Sequence, residues 1–265
     1  MENLENEFLK MNYQKLSLIK KDEYKEIYLG EQKYTKEKLI ILEINLSNID
    51  DEMKNKIQDE GIHLSKLKNP NLINHYEFLF EKDKITILKE YAEGGNLNNK
   101  IKEQKNKNEY FKEIIIIDYL IEICEGLIFI NENNIIHEDL TLDNILLTID
   151  NRIKLNNFGI SKLLNKNKEK NNSQDDKKII FNLGLILYEL TQLENPPNTE
   201  EIKLNEKKEE ENNNINNIFI PNLNYSSFLI NILKSTLKPN PDITLKEILI
   251  NCITEKLKND DPKIE

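Results

Sequence analysis

The sequence predicts a two-lobed α+β fold, in which a β-rich first third precedes a mainly helical remainder. Short apolar runs of strand length fill the first third, and longer apolar runs with helical spacing fill the rest. The pattern changes at residues 91–95, where Gly94 and Gly95 interrupt the chain. Strands that precede the helices, instead of alternating with them, are typical of α+β proteins. The predicted divisions are an N-terminal extension at 1–15, a first lobe at about 16–91, a second lobe at about 92–257 and a C-terminal tail at 258–265.

The first lobe is predicted as strands with one helix among them. The strand candidates are LSLI, EIYLG, KLIILEINL, LINHYEFLF and KITILKEYA. Between the third and the fourth, residues 49–67 repeat apolar side chains near one helical face. Asp50 and Asp51 favour a helix start there because their charge complements the helix dipole, and Asn69-Pro70-Asn71 ends the pattern.

The second lobe is predicted as mainly helical. The helix candidates are residues 112–131, 179–190, 226–237 and 244–257. Two polar tracts, 165–178 and 205–217, lack apolar residues apart from Ile215, and they are predicted as solvated loops. A docking role for these tracts is the alternative hypothesis.

Composition limits the class of function. The chain has 265 residues and a net charge of −10, which argues against a nucleic-acid partner because phosphate binding favours a basic surface. Cys124 and Cys252 lack metal-ligand spacing and indicate ordinary thiols in a reducing compartment. The N-terminus has no apolar signal segment, and the most apolar run, 114–130, carries three acidic residues, so no membrane association is predicted. We therefore expect a cytoplasmic protein.

Three short segments resemble parts of the eukaryotic protein kinase domain. His137-Glu138-Asp139-Leu140, followed by Asn144, resembles the kinase catalytic loop H-R-D-L-x-x-x-N. Asn157-Phe158-Gly159 stands where a kinase has D-F-G, and LKEYAEGGNL resembles the kinase hinge. The resemblance covers about residues 16–257 in the kinase order, so it implies a protein-kinase-like fold with a β-rich N-lobe and a mainly helical C-lobe.

The resemblance also implies which catalytic groups this chain has lost. Leu39-Ile40-Ile41-Leu42 aligns with the strand motif V-A-I-K, so Leu42 replaces the phosphate-binding lysine and Ile40 would project into the adenine slot. Thr141 replaces the catalytic-loop lysine, and Asn157 replaces the metal-binding aspartate of D-F-G. The segment after Asn157 is short and contains no A-P-E motif.

The glycine-rich loop of a kinase lets backbone N–H groups approach phosphate closely. Its three glycine positions align with Lys20, Asp22 and Lys25, so the loop is predicted to be lost, and the charge of Asp22 would repel phosphate.

Glu60 aligns with the glutamate of the kinase αC helix, whose usual partner is the lost lysine. A half-buried carboxylate without a cation is costly, so a substitute cation is expected. Lys25, whose position is similar to that of the substitute lysine in the with-no-lysine kinases, or Lys89, at the gatekeeper position, is predicted to pair with Glu60 and to contact nucleotide. The alternative is that Glu60 turns to solvent.

Asp139 and Asn144 stand at the positions of the base and of a metal ligand, and we interpret both as vestigial. Mg²⁺ prefers carboxylate oxygens, which Asn144 and Asn157 do not supply, so no metal site is predicted. His137 is expected to pack in the core beside residues that resemble a kinase regulatory spine, which are Leu64, His75 and Phe158.

The combined losses predict a pseudokinase, that is, a kinase-like domain without catalysis that acts in signalling as a scaffold or allosteric regulator. The expected partner is a protein, such as an active kinase or its substrate, and no cofactor is expected. The alternative is an ATP-binding atypical protein kinase of the Ser/Thr type, in which Lys25 replaces the lost strand lysine and ATP binds weakly and without Mg²⁺. A third hypothesis is a folded, degenerate duplicate without a partner.

Overall fold

The computed structural model describes residues 11–159, 172–196, 225–238 and 241–260. By their internal contacts these residues form two units. Unit 1 contains the described residues up to Glu93 together with residues 156–159, and unit 2 contains the others. Unit 1 carries an antiparallel sheet and unit 2 is mainly helical, so the predicted α+β class is confirmed.

Unit 1 is built on a sheet of five antiparallel strands in the order β1-β2-β3-β5-β4. The central strands β3 and β5 are the most apolar and the most buried, whereas β1 at the edge is exposed along most of its length. Strand β1 begins three residues before the predicted lobe boundary, because Tyr13 already pairs with Gln32 of β2. The strands are β1 Tyr13–Lys21, β2 Lys25–Gln32, β3 Lys38–Asn45, β4 His75–Glu81 and β5 Lys84–Glu90.

Helix α1 (Asp51–Lys66) covers one face of this sheet. Asp50 caps its start, because its carboxylate accepts a hydrogen bond from the backbone N–H of Met53 at 2.9 Å. Gly61 lets α1 approach β4, since a Cβ at this position would lie 2.7 Å from the ring of Phe78. The buried core of this layer consists of Leu42, Ile44, Leu46, Ile57, Ile85 and Ile87.

Unit 2 is organised around helix α3, of which ten residues are buried. This helix contains the apolar run that the sequence predicts as buried, and it packs against α6, α4 and the strand β7. No helix of the described residues is both long enough and apolar enough to cross a membrane. The described helices of unit 2 are α2 Leu97–Lys107, α3 Glu113–Glu132, α4 Asn172–Gln192, α5 Ser227–Thr236 and α6 Leu245–Asp260.

A two-stranded hairpin, β6 (Ile145–Leu147) and β7 (Ile153–Leu155), follows the catalytic-loop motif. Glu122 of α3 anchors it: one carboxylate oxygen accepts a hydrogen bond from the N–H of Ile153 at 2.6 Å, and the other lies 2.6 Å from Nε of Arg152. Burial raises the pKa of Glu122, and the partners on the hairpin oppose that rise. The carboxylate thereby fixes the hairpin on the central helix.

Gly94 lies against the same hairpin. A Cβ at Gly94 would stand 2.3 Å from the carbonyl oxygen of Thr148, so a larger residue does not fit without displacement of the backbone. The N–H of Gly94 donates to the carbonyl of Leu147 at 2.8 Å. Of the glycine pair that the sequence marks as a break, Gly94 is therefore required by packing, whereas Gly95 has a φ of 75° and no atom within 4 Å of its Cβ position.

Two helical segments differ from the sequence prediction. The sequence analysis does not predict helix α2, because its segment LNNKIKEQKNK buries only two apolar side chains. Asn96 caps this helix, since its side chain accepts a hydrogen bond from the N–H of Asn99 at 2.8 Å. Helix α4 begins at Asn172, so the predicted loop at 165–178 is wrong for residues 172–178, where polar turns extend the buried apolar segment. Residues 165–171 and the tract 205–217 lie outside the described residues.

Cys124 and Cys252 are free thiols, and both are buried in unit 2. Burial raises the pKa of both, to about 12 for Cys252. Thiols of this kind stay protonated near neutral pH, which makes them poor nucleophiles and poor metal ligands.

Candidate functional site

The turn between β1 and β2 aligns with the glycine-rich loop of a kinase, and an aspartate fills it. Asp22 accepts hydrogen bonds from the backbone N–H groups of Tyr24 at 3.2 Å and of Lys25 at 3.0 Å. Successive backbone N–H groups form the concave donors that bind phosphate in such loops. In this chain the carboxylate of Asp22 occupies these two donors, within an exposed turn.

The central strand β3 carries no cation at the position of the lost lysine. Leu42 is 5% exposed and belongs to the core between the sheet and α1, together with Ile57 and Ile87. Ile40 lies two residues earlier on the same face, is only partly buried, and stands opposite Lys89 of β5. Leu42 therefore contributes packing between the sheet and the helix.

Lys89 is a buried cation in unit 1. Its side chain is 5% exposed, and Nζ donates a hydrogen bond to Oδ1 of Asn156 at 2.9 Å. Within the described part of the chain it forms no ion pair with a carboxylate. Burial, followed by the positive charge of Lys25, lowers the pKa of Lys89 to about 8. An anionic ligand would stabilise this ammonium group, whose partner among the described residues is a neutral amide.

Neither predicted pair with Glu60 is formed in this structure. Lys89 binds Asn156, and Nζ of Lys25 lies 3.7 Å from a carboxylate oxygen of Asp22. The strand register gives the physical reason. Lys25 pairs with Ile44 and Lys89 pairs with Ile40, so neither lysine stands directly opposite Leu42, which holds the position of the kinase lysine. Glu60 is partly buried on α1 and has no ion pair among the residues described.

The motif Asn157-Phe158-Gly159 belongs to unit 1. Asn157 has φ 66° and Gly159 has φ 79°, a left-handed backbone that asparagine and glycine adopt more readily than other residues. Gly159 lies against α1, since a Cβ there would stand 2.9 Å from the side chain of Leu64. The backbone geometry of the motif is thus independent of its lost carboxylate.

Phe158 is 1% exposed, and its ring stands edge-on to that of His75 with 5.3 Å between the ring centroids. Leu64 lies beside Gly159, so these members of the predicted spine come together in unit 1. His137 is buried in unit 2, and its packing beside Phe158 stays a prediction.

Unit 2 contributes the catalytic-loop motif, in which Asp139 and Asn144 are joined directly. Nδ2 of Asn144 donates to both a carboxylate oxygen and the carbonyl oxygen of Asp139 at 2.8 Å, and lies 3.1 Å from the hydroxyl of Thr141. Asn144 is buried, whereas Asp139 and Thr141 are exposed. The loop therefore presents an oriented carboxylate, as a general base requires, with a hydroxyl in place of the usual cation.

The residues at the two kinase metal-ligand positions, Asn144 and Asn157, supply neutral amides and no carboxylate. Mg²⁺ prefers carboxylate and phosphate oxygens in octahedral geometry. In the part of the chain that the structure describes, no three His, Cys, Asp or Glu side chains gather where they would hold a metal ion.

Two residues with a role at the site are missed by the sequence reasoning. Asn156 provides the acceptor for Lys89, and its only signal is that it precedes Asn157. Glu122 anchors the hairpin after the catalytic loop, and its signal is a carboxylate inside the most apolar run of the chain. A buried acid in such a run needs a partner, so this second contact was open to inference.

Comparison with known proteins agrees with this architecture. Residues 14–182 match the family described as protein tyrosine and serine/threonine kinase, which is more than half of the chain. The chain therefore belongs to the protein kinase family.

Similar proteins include the probable serine/threonine-protein kinase nek3 of Dictyostelium discoideum, 31% identical over 68% of this chain and 18% of the relative. The serine/threonine-protein kinase nekl-2 of Caenorhabditis elegans is 30% identical over 69% of this chain and 58% of its own length. Nek3 of Mus musculus is 30% identical over 70% of this chain and 39% of its own length. The chain thus spans less than two thirds of each of these relatives.

Proposed function

We propose that this member of the protein kinase family is a pseudokinase, which acts in signalling as a scaffold or allosteric regulator of a protein partner such as an active kinase or its substrate. The observation that carries the proposal is Leu42, a core side chain at the position of the phosphate-binding lysine. Phosphoryl transfer depends on positioned positive charge, and a Leu packed against Ile57 supplies none. Asn157, in place of the metal-binding aspartate, and the turn whose N–H groups are bound by Asp22 support the same proposal.

The test is transfer of radiolabelled phosphate by the purified chain to itself and to a generic acceptor protein, beside Asp139→Ala. We expect equal background signals from both, since Leu42, Thr141 and Asn157 stand where a kinase has the two lysines and the metal-binding aspartate that act with the base. Transfer by the unchanged chain that disappears in Asp139→Ala would overturn the proposal and establish an active kinase.

A second candidate function is nucleotide binding without Mg²⁺, as a nucleotide sensor or as an atypical kinase of the Ser/Thr type. The buried ammonium of Lys89 favours it, because this group has no anionic partner among the described residues and shares a sheet face with Lys25. ATP is the expected ligand, with its phosphates near these two lysines.

Thermal melting with ATP in EDTA, and again with Mg²⁺ or Mn²⁺, tests this candidate. A ligand at ten times its Kd stabilises the folded state by about 1.4 kcal/mol, which corresponds to roughly 3–5 °C in a chain of this size. We expect a shift in EDTA that Lys25→Ala and Lys89→Met remove and that Lys84→Met, on the same strand as Lys89, retains. No shift at millimolar ATP would reject the candidate.

The proposal places the chain in the cytoplasm. The two free, buried thiols support this placement, because paired cysteines are the usual state in oxidising compartments. Fractionation of cells that express the tagged chain would check it.

A further inference from the structure

A groove lies on the face of the unit 1 sheet that α1 leaves uncovered. It has a volume of about 570 Å³ and is formed by the starts of β1, β3 and β4 and by the end of β5. Glu90 in its wall pairs with Leu39, whereas Lys89 pairs with Ile40. Because successive side chains of a strand point to opposite faces, Glu90 and Lys89 lie on opposite faces of the sheet. Three tyrosines and three glutamates dominate its lining, namely Tyr13, Tyr76, Tyr91, Glu37, Glu90 and Glu93.

Two glutamates of the groove lining, Glu90 and Glu37, act on Tyr76. Burial raises the pKa of Tyr76, and the charges of Glu90 and Glu37 raise it further. Glu90 is held rigidly, because one of its carboxylate oxygens accepts hydrogen bonds from the N–H and the side-chain amide of Asn74 at 3.0 and 2.8 Å. Glu93 is exposed at the rim. The groove therefore combines aromatic rings with negative charge that is already in place.

The two lysines in the groove wall do not cancel that charge. Nζ of Lys36 lies 2.9 Å from a carboxylate oxygen of Glu31. Lys36 first, and Lys38 to a smaller extent, lower the pKa of Glu31, so both ammonium groups stand near that carboxylate. Glu31 belongs to β2 and is not part of the groove lining. Its charge offsets one of the two lysines, and the three glutamates of the lining outnumber the other, so the groove stays net negative.

We propose that this groove, the tyrosine–glutamate groove, binds an arginine- or lysine-rich peptide segment of a partner protein. A guanidinium or ammonium group is attracted to the face of a tyrosine ring, and the aliphatic stem of such a side chain packs against the same rings. The carboxylates complement the cationic head, and the net charge of −10 steers a basic partner toward the chain. The groove includes Glu90 and Tyr91 of the hinge-like segment, but it opens on the sheet face opposite to that of Leu42 and Lys89, so binding there does not require phosphate transfer.

The test measures fluorescence anisotropy of a labelled peptide, Gly-Arg-Ser-Arg-Ser-Arg-Gly, with the full chain and without nucleotide. Salt at about 0.15 M screens charges beyond about 8 Å and so suppresses non-specific attraction. The variants are Tyr76→Ala, which removes a ring without a change of charge, and the double variant Glu37→Lys/Glu93→Lys. Matched controls are Tyr110→Ala and Glu103→Lys/Glu109→Lys, at exposed residues of unit 2.

We expect Tyr76→Ala to weaken binding roughly three-fold, as the loss of a cation–π contact at an exposed site does. The groove double variant should weaken it at least about ten-fold, because repulsion replaces attraction at two points. Both controls should stay within about two-fold of the unchanged chain. Three results would each overturn the proposal: no binding of the arginine peptide, equal loss in the two double variants, or an unchanged Kd in Tyr76→Ala. A peptide with Gln in place of Arg should not bind.

Discussion

Replacement of Lys89 by Met should stabilise the protein, although it removes a hydrogen bond. The lysine pKa falls from 10.5 to about 8 because the ammonium group is buried and lies near the charge of Lys25. A difference of about 2.5 pKa units between the unfolded and folded states corresponds to about 3 kcal/mol of destabilisation at neutral pH. Loss of the hydrogen bond to Asn156 costs about 1 kcal/mol. The free energy of unfolding of Lys89→Met should therefore exceed that of the unchanged chain by about 2 kcal/mol at pH 7.

The same substitution should change how stability depends on pH. Lys89 has a depressed pKa in the folded state, so between about pH 8 and pH 10.5 the unfolded state binds more protons. Stability then rises with pH across this interval as the buried group becomes neutral, and the full destabilisation is present below about pH 8. Urea unfolding at pH 7 and at pH 9.5 would show a smaller advantage of Lys89→Met at the higher pH.

Lys84→Met is the matched control for this measurement. Lys84 begins the same strand, but its Nζ lies 3.5 Å from Glu43 and 3.2 Å from Glu81. Since it is an accessible, paired lysine, its replacement should lower stability by up to about 1 kcal/mol. A Lys89→Met protein that is less stable than the unchanged chain at pH 7, or that keeps the same rise in stability between the two pH values, would refute the reasoning.

Three further perturbations test other parts of the fold. Burial, followed by the charges of Lys89 and Lys68, lowers the pKa of His75 to about 3. Stability should fall as pH drops below 6.5, by about 2 kcal/mol at pH 5, because the unfolded state takes up the proton first. In urea titrations, His75→Leu should remove most of that loss. Glu122→Ala should lower the free energy of unfolding by about 3 kcal/mol, because it leaves the N–H of Ile153 without its acceptor in the core. The control Glu125→Ala, at an exposed site of the same helix, should change the free energy of unfolding little. Gly94→Ala should lower stability by about 1–3 kcal/mol in thermal unfolding, because its Cβ meets a carbonyl oxygen at 2.3 Å. The control Gly95→Ala meets no atom within 4 Å, so its loss of stability should be limited to the backbone strain of a φ of 75°.

The parts of the fold that follow from the sequence are those in which local signals and burial agree. Helix α1 combines a capping aspartate with apolar side chains on one face, and the central strands are apolar along their length. Helix α2 has polar residues at most positions, so it depends on the cap at Asn96 and on two anchors, Leu97 and Ile101. Residues 172–178 are helical because they continue a buried segment, which their own composition does not reveal.

The candidate site, too, has features that follow from the sequence and features that do not. The loss of the strand lysine follows from alignment with the kinase motif, and burial of Leu42 in the core gives that loss a physical meaning. The partner of Lys89 does not follow from the sequence, because the hydrogen bond to Asn156 joins residues 67 positions apart. Charge pairs of this kind depend on register and side-chain reach, which no local pattern encodes.

The burial of Lys89 also bears on the hypothesis of a degenerate duplicate. Compositional drift introduces lysine readily on the surface, where the cost is small, but a lysine that is 5% exposed opposes folding, because burial disfavours its charged form and lowers its pKa. A typical protein is stable by only about 5–15 kcal/mol, so such a cost matters. The central strand has exchanged its cation for Leu42, whereas Lys25 and Lys89 on the flanking strands β2 and β5 face the same side of the sheet. The proposed function, a pseudokinase that responds to an anionic ligand, is consistent with this arrangement of Leu42, Lys25 and Lys89.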